Sequence, residues 1–310
     1  MSMPPTVRDF AQKIITKKRT SPDLTQQELA YIREQLSALD NADEEVVRTG
    51  FASTPIFPKP IDYKEGINHY SIAVGANIPF DKKGLPYTSG FRYPAIVTPK
   101  PDMHYGYPQK SFDGPESQLP EVMRHPRLQP YAKPTSATHW PFFAVEYKSP
   151  SRLGSRWVAE NQNAGTGAHC VNSIETLLSY TKNKEENQIT DSIAFSCVVD
   201  LENASLWVHW VERGEYRRFV SSEVGHYHIR TPDDINAFRS SVKNIIDFGL
   251  TERLEMIKTA LYEALPQMPL WDAEDRAAKI RPQTEDTAPS QSSSGLGASS
   301  EPNADQDSQR

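Results

Sequence analysis

The sequence predicts an α/β (α+β) fold, a mixed central β-sheet flanked by helices, with an N-terminal helical extension and a disordered C-terminal tail. Three observations carry that expectation. Phe142 to Tyr147 is a run of aromatic and aliphatic residues, the composition of a strand buried on at least one face. Asp191 to Ile229 reads as an antiparallel strand series with turns at Glu202-Asn203 and Arg213-Gly214-Glu215. Helical stretches stand before, between and after these runs, an order that suits helices layered on a sheet.

In chain order, residues 1–50 form an arm and a helix. Lys13, Lys17, Lys18 and Arg19 make a basic cluster, read as a solvated arm, with nuclear targeting or phosphate contact as the alternative. From Leu24 the chain is amphipathic: Leu24, Leu29, Ile32, Leu36 and Leu39 form one stripe, capped by Ser21 or Asp23. Residues 51–268 form the main domain. Its first part is rich in Pro, Gly, Tyr and Asn, with strand character at Tyr70 to Val74 and at Ala95 to Thr98, which leads into Pro101-Asp102. The proline-rich segment 107–138 reads as an insertion.

After the central strand a polar loop precedes a helix from near Trp157 through Tyr180, packed through Ala164, Ala168, Val171, Ile174 and Leu178. Gly165 and Gly167 cost helix stability by about 1 kcal/mol each against alanine, so they point either to a close approach by sheet, substrate or backbone or, equally, to a helix that starts later. Strands follow at Ile193 to Val199, Ser205 to Val211 and Tyr216 to Val220, with a further one holding His226 and His228. That histidine pair shares a face, but no cysteine or acid completes a zinc set around it. Thr231-Pro232-Asp233-Asp234 opens a helix with threonine as cap and acids near its positive end. Gly249 and Thr251 mark a break before a second helix, Glu252 to Leu265. Residues 269–310 are poor in apolar side chains and acidic, which predicts a disordered tail.

Composition excludes several classes. No run of about 18 apolar residues exists, so no membrane-spanning helix is expected, and the N-terminus lacks the apolar core of a signal peptide. An intracellular location, nuclear or cytoplasmic, is the expectation. Cys170 and Cys197 are too few for a disulfide framework or a four-cysteine zinc site and read as small core residues. The net charge is -6, of which residues 272–310 contribute -4 (eight acids, four bases), leaving -2 for the rest. That near-neutral remainder argues against a broad phosphate-binding surface while leaving room for a local basic groove.

The densest chemistry lies on the central strand and just upstream. Glu146 and Lys148, two apart, project from the same face and share one pocket. A carboxylate in so apolar a strand needs a partner or a metal. Asp102 supplies a second acid, although Pro101-Asp102 alone is read as a turn. Arg152 and Arg156, in the following loop, are placed to meet a phosphate. Gln162, Thr166 and His169 share a helix face; Gln162 is read either as functional or as a solvent-facing amide, and His169 as structural.

Asp102 followed by Glu146-Tyr147-Lys148 resembles the PD-(D/E)XK signature of the restriction-endonuclease-like nuclease superfamily, and Gln162 resembles the glutamine that often follows it. The stretch is most similar to fungal members of that superfamily, over roughly Ala95 to Arg230. The resemblance implies a restriction-endonuclease-like core that hydrolyses phosphodiester bonds in DNA or RNA. It implies Mg²⁺ or Mn²⁺ held by Asp102, Glu146 and the Tyr147 carbonyl, with Lys148 activating water and Gln162 orienting water or substrate. An acid on the first core helix sometimes joins such a site, and Glu44 or Glu45 is the counterpart, with no motif to fix the register. The alternatives are a catalytically inactive scaffold or interaction protein on the same fold, and a nucleic-acid binder that does not cleave.

Overall fold

The computed structural model describes residues 2–20, 22–40, 42–59, 72–86, 97–114, 117–149, 156–182, 184–214 and 216–280. Three helices lead: α1 (Pro5–Ile15), α2 (Gln26–Ala38) and α3 (Glu44–Ser53). Then come β1 (Ala73–Gly75), β2 (Met103–Tyr107), α4 (Leu119–Arg124), α5 (Gln129–Ala132) and β3 (His139–Tyr147). The chain continues through α6 (Arg156–Leu178), β4 (Ala194–Val199), β5 (Asn203–Glu212) and β6 (Arg218–His228). It closes with α7 (Pro232–Phe248), a π-turn (Gly249–Arg253), α8 (Leu254–Ala264) and α9 (Met268–Ile280). Two compact units result, Met1–Pro269, which holds the whole sheet, and Leu270–Arg310, to which most of α9 belongs.

The six strands form one sheet in sequence order. Every neighbour pair is antiparallel except β3 and β4, which run parallel with Glu146 opposite Val198. A parallel pair needs a long crossover, and α6 supplies it. All nine residues of β3 are buried, which explains their near-continuous apolar character.

Register assigns the faces. Ala144, two before Glu146, pairs with Ser196, whose hydroxyl meets the ring of His209 at 2.5 Å. A Cβ on Gly167 of α6 would lie 2.1 Å from that ring, so α6 covers the Glu146 face and only glycine lets it approach so closely. Tyr147 points the other way, stacked on Phe51 of α3 at 5.3 Å and edge-on to Phe57, which in turn meets Phe238 of α7. The π-turn takes the chain between faces: Phe248 still meets Phe195 at 6.2 Å, while Gly249 closes on Phe142.

The α+β class with a mixed sheet flanked by helices is therefore as predicted, and Thr231 caps α7 by accepting from the Asp234 N–H. Several details differ. Lys13, Lys17 and Lys18 are exposed, as a solvated arm requires, but the chain that carries them is packed: α1 buries Val7, Ala11, Ile14 and Ile15, and Arg19 beyond it bonds Asn244 and Asp247. The cap of α2 is Thr25, in a reciprocal box with Glu28, rather than Asp23; Ser21 lies outside the described residues. Residues 97–100 are not a strand; the strand follows Asp102 instead of leading into it. Segment 107–138 carries α4 and α5, and the two strands expected after residue 215 are one, β6. The helix continues through Gly249 and Thr251 as a π-turn instead of breaking. Residues 269–280, expected to be disordered, are part of α9; the rest of the expected tail lies outside the described residues.

Candidate functional site

The ends of two strands bring the predicted acids together. Met103 on β2 pairs with Val145 on β3, so one further step of the antiparallel register sets Asp102 across from Glu146. The Asp102 Oδ2 accepts a hydrogen bond from the Tyr147 N–H at 2.8 Å, which fixes the carboxylate at the strand end. Burial pushes the Asp102 carboxyl up from its ordinary range, against the pull of that N–H and of Lys148.

Glu146 is only 2% exposed. Burial first, and then the Asp102 charge, push its carboxyl up to about 8, with Glu44 adding to the rise and Lys148 opposing it. At neutral pH this acid therefore keeps its proton unless a cation arrives. Lys148, itself buried, extends the strand pairing by donating its backbone N–H to the Val199 carbonyl at 2.8 Å. Its ammonium reaches the Glu44 Oε2 at 3.0 Å, on the first turn of α3. Glu45 instead turns to Arg48 on its own helix.

Beside this cluster, at the carboxyl ends of the parallel pair, lies a cleft of about 710 Å³. Open sheets bind ligands outside the carboxyl ends of parallel strands, where neighbouring connections diverge. Lys148 and Ser149 line it just past β3, Val198 from β4 with Asp200 just past it, and Arg156 from the start of α6. Arg230 also lines it, bonded to Asp40 at 2.7 Å, Glu202 at 3.1 Å and the Leu201 carbonyl. Arg156 bonds Glu160, Glu223 and the Ser205 hydroxyl. Asp102 and Glu146 are not among the cleft-lining residues.

Asp102, Glu146 and Lys148 thus form one cluster, and Arg156 opens the adjoining cleft. Gln162 does not join them: its side chain is exposed on α6 and outside the cleft, the solvent-facing alternative. The next residue, Asn163, is 1% exposed, and its Oδ1 has no partner among the described residues. A step of one residue turns a helix by about 100°, which separates the two amides. Arg152 lies outside the described residues. Nothing in the sequence marks Arg230, Asp40 or Asp200, since none belongs to a motif.

Among the described residues no group of three or more His, Cys, Asp or Glu side chains is arranged to hold a metal ion. What is present is an acid pair and the strand backbone between them. Hard oxygens of this kind suit Mg²⁺ or Mn²⁺, and a carboxyl held protonated by burial and a neighbouring acid is one that a divalent cation would ionise. The donor set fits such an ion.

A mixed sheet carrying an acid pair and a buried lysine at its strand ends, next to a charged cleft, defines an α+β protein with a polar site at the parallel switch. The chain belongs to the family described as Domain of unknown function (DUF7924), which matches residues 6–261 and takes in the entire sheet. No curated protein and no solved structure matches it. Among the described residues no helix is long and apolar enough to cross a membrane.

Proposed function

We propose that this chain is a metal-dependent phosphodiesterase of the PD-(D/E)XK kind, acting on nucleic acid inside the cell. The reading rests above all on the clustering of Asp102, distant in sequence, with Glu146 and Lys148 at the end of β3 beside a cleft. Asp102, Glu146 and the Tyr147 carbonyl would hold Mg²⁺ or Mn²⁺, which when bound supplies Lewis acidity toward a phosphate and a more acidic water. The chain's own part is positional. The Tyr147 N–H holds Asp102 in place, and Glu44 holds the Lys148 ammonium at the cleft wall. From there Lys148 can donate to a phosphate oxygen and stabilise the charge that grows on it. Arg156 and Arg230 offer further donors once they exchange their acids for phosphate.

Incubation of wild type, Glu146→Ala and Lys148→Ala with pooled single- and double-stranded DNA and RNA in Mn²⁺ is the test. Cleavage by wild type alone is expected, and equal activity in all three proteins would overturn the assignment. One observation favours a second reading, a non-enzymatic scaffold: Glu146 is almost fully enclosed and neither acid lines the cleft. Absence of both metal binding and cleavage in wild type would select it.

A further inference from the structure

Trp157 is the most exposed of the large apolar side chains on α6, at 70%, although tryptophan is among the most buried residue types on average. The other four tryptophans are buried or half-buried. Its chain neighbour Arg156 lines the cleft that also contains Lys148. The indole is displayed in the first turn of α6, one residue along from a side chain that lines the cleft, although it does not line the cleft itself. Asn161, four residues on and also exposed, continues the same helical stripe with an amide able to bond a base edge.

Charge in the cleft is balanced. Lys148, Arg156 and Arg230 stand against Asp40, Asp200 and Glu202, and the chain outside its acidic end carries little net charge. A duplex is held chiefly by phosphate contacts to a basic surface, and this surface is a poor one for that purpose. Unpaired bases are held by stacking on aromatic rings, which needs no excess of positive charge.

We infer that the substrate is single-stranded nucleic acid, with an unpaired base stacked on Trp157 as the adjoining phosphate enters the cleft past Arg156. This rests on the phosphodiesterase reading for what happens to the strand, but binding is separable from cleavage. Duplex, whose bases are already stacked, gains nothing from the indole. The site of stacking is the ring face, so Trp157→Phe retains most of the interaction and Trp157→Ala loses it.

The experiment uses the full chain in EDTA, titrated with fluorescein-labelled oligothymidylate or oligouridylate of about twelve nucleotides, within the span of known single-strand sites. Anisotropy gives affinity, and tryptophan emission reports stacking, since Trp157 is the exposed indole. Saturable quenching is expected, with duplex binding at least about tenfold weaker, Trp157→Ala losing about tenfold or more in affinity together with the quenching, and Trp157→Phe restoring the affinity. Whichever oligonucleotide binds more tightly identifies the strand as DNA or RNA. Equal affinity for duplex and single strand, or a Trp157→Ala protein that binds single strands as wild type does, would overturn the inference. Parallel assays in Mn²⁺ keep the two readings apart. Stacking without cleavage in wild type leaves this inference standing and removes the phosphodiesterase, while cleavage of duplex and single strand alike, untouched by Trp157→Ala, does the reverse.

Discussion

Two buried cations in this protein live under opposite conditions. Lys148, at the carboxyl end of the central strand, meets Glu44 at 3.0 Å and lies within reach of the Asp102 and Glu146 charges. Arg253, at the end of the π-turn, is 1% exposed, and its three guanidinium nitrogens have no hydrogen-bond partner among the described residues. Near it are Tyr107 and Cys170, both neutral; burial holds the Tyr107 hydroxyl and the Cys170 thiol above their ordinary values. One cation belongs to an acid-rich site open to a cleft, while the other is a cost carried by the core. The contrast shows that burial of charge alone does not mark a functional site; the company of opposite charge beside accessible space does.

Arg253→Met keeps the length of the side chain and removes the unpaired charge, so it is expected to leave stability unchanged or raise it, by up to about 4 kcal/mol, in urea unfolding. A large loss would show that Arg253 has a partner of its own. Gly249→Ala attacks the turn that holds it, since the new Cβ would lie 2.2 Å from the Phe142 ring. Overpacking of that kind costs about 1–3 kcal/mol, read as an earlier urea midpoint.

Lys148→Met acts on the other cation. It strips the cluster of its counter-charge and should cost about 1–3 kcal/mol at pH 8, where more of Glu146 is ionised. At pH 6 the loss should be smaller, because Glu146 then holds its proton. Equal losses at the two pH values would show that Lys148 and Glu146 are not coupled.

The mildest effect is the pH profile of the metal-free protein. Glu146 has a folded-state value of about 8 against 4.5 unfolded, so the stability linked to its proton is full below 4.5 and falls as pH rises toward 8. Buried His104, His169 and His209 go the other way. Burial holds them at about 4, about 4 and about 3, so their contribution is present above 6.5 and is lost as pH falls through the folded values. His139 is lowered by burial as well and the Asp102 carboxyl raised; the histidines outnumber the raised carboxyls on the acid side, and Glu146 dominates between about 6.5 and 8. Stability followed by thermal unfolding should therefore peak near pH 6.5, and a curve still rising at pH 8 would contradict the buried state of Glu146.

Much of the fold could be read from local pattern. The buried runs of β3 and β4, the alternation along β5 and the Thr231-Pro232 start of α7 are signals carried within a few residues. The acid pair and lysine were legible for the same reason, because strand alternation fixes which side chains share a face. Contacts set by tertiary packing were not. Nothing near Lys148 announces that it will meet Glu44, and the stripe of Val7, Ala11 and Ile14 gains meaning only against α7. Gly249 has the local signature of a helix stop, but the crossing of Phe142 gives it a different use, a close approach within a continuing helix. Gln162 shares a helix face with Thr166 and His169, both buried, yet is exposed itself, and the amide that is buried is the next one, Asn163; residue spacing alone does not say where along α6 that face becomes covered.

The central claim, that Asp102 and Glu146 make a cation site, is tested most directly by calorimetric titration of Mn²⁺ at pH 7 in two buffers of different ionisation enthalpy, on wild type and Glu146→Ala. The expected result is one saturable site in wild type whose apparent heat differs between buffers, because the incoming cation displaces the Glu146 proton, and no site in Glu146→Ala. Absence of binding in wild type, or an equal isotherm in the variant, would contradict it.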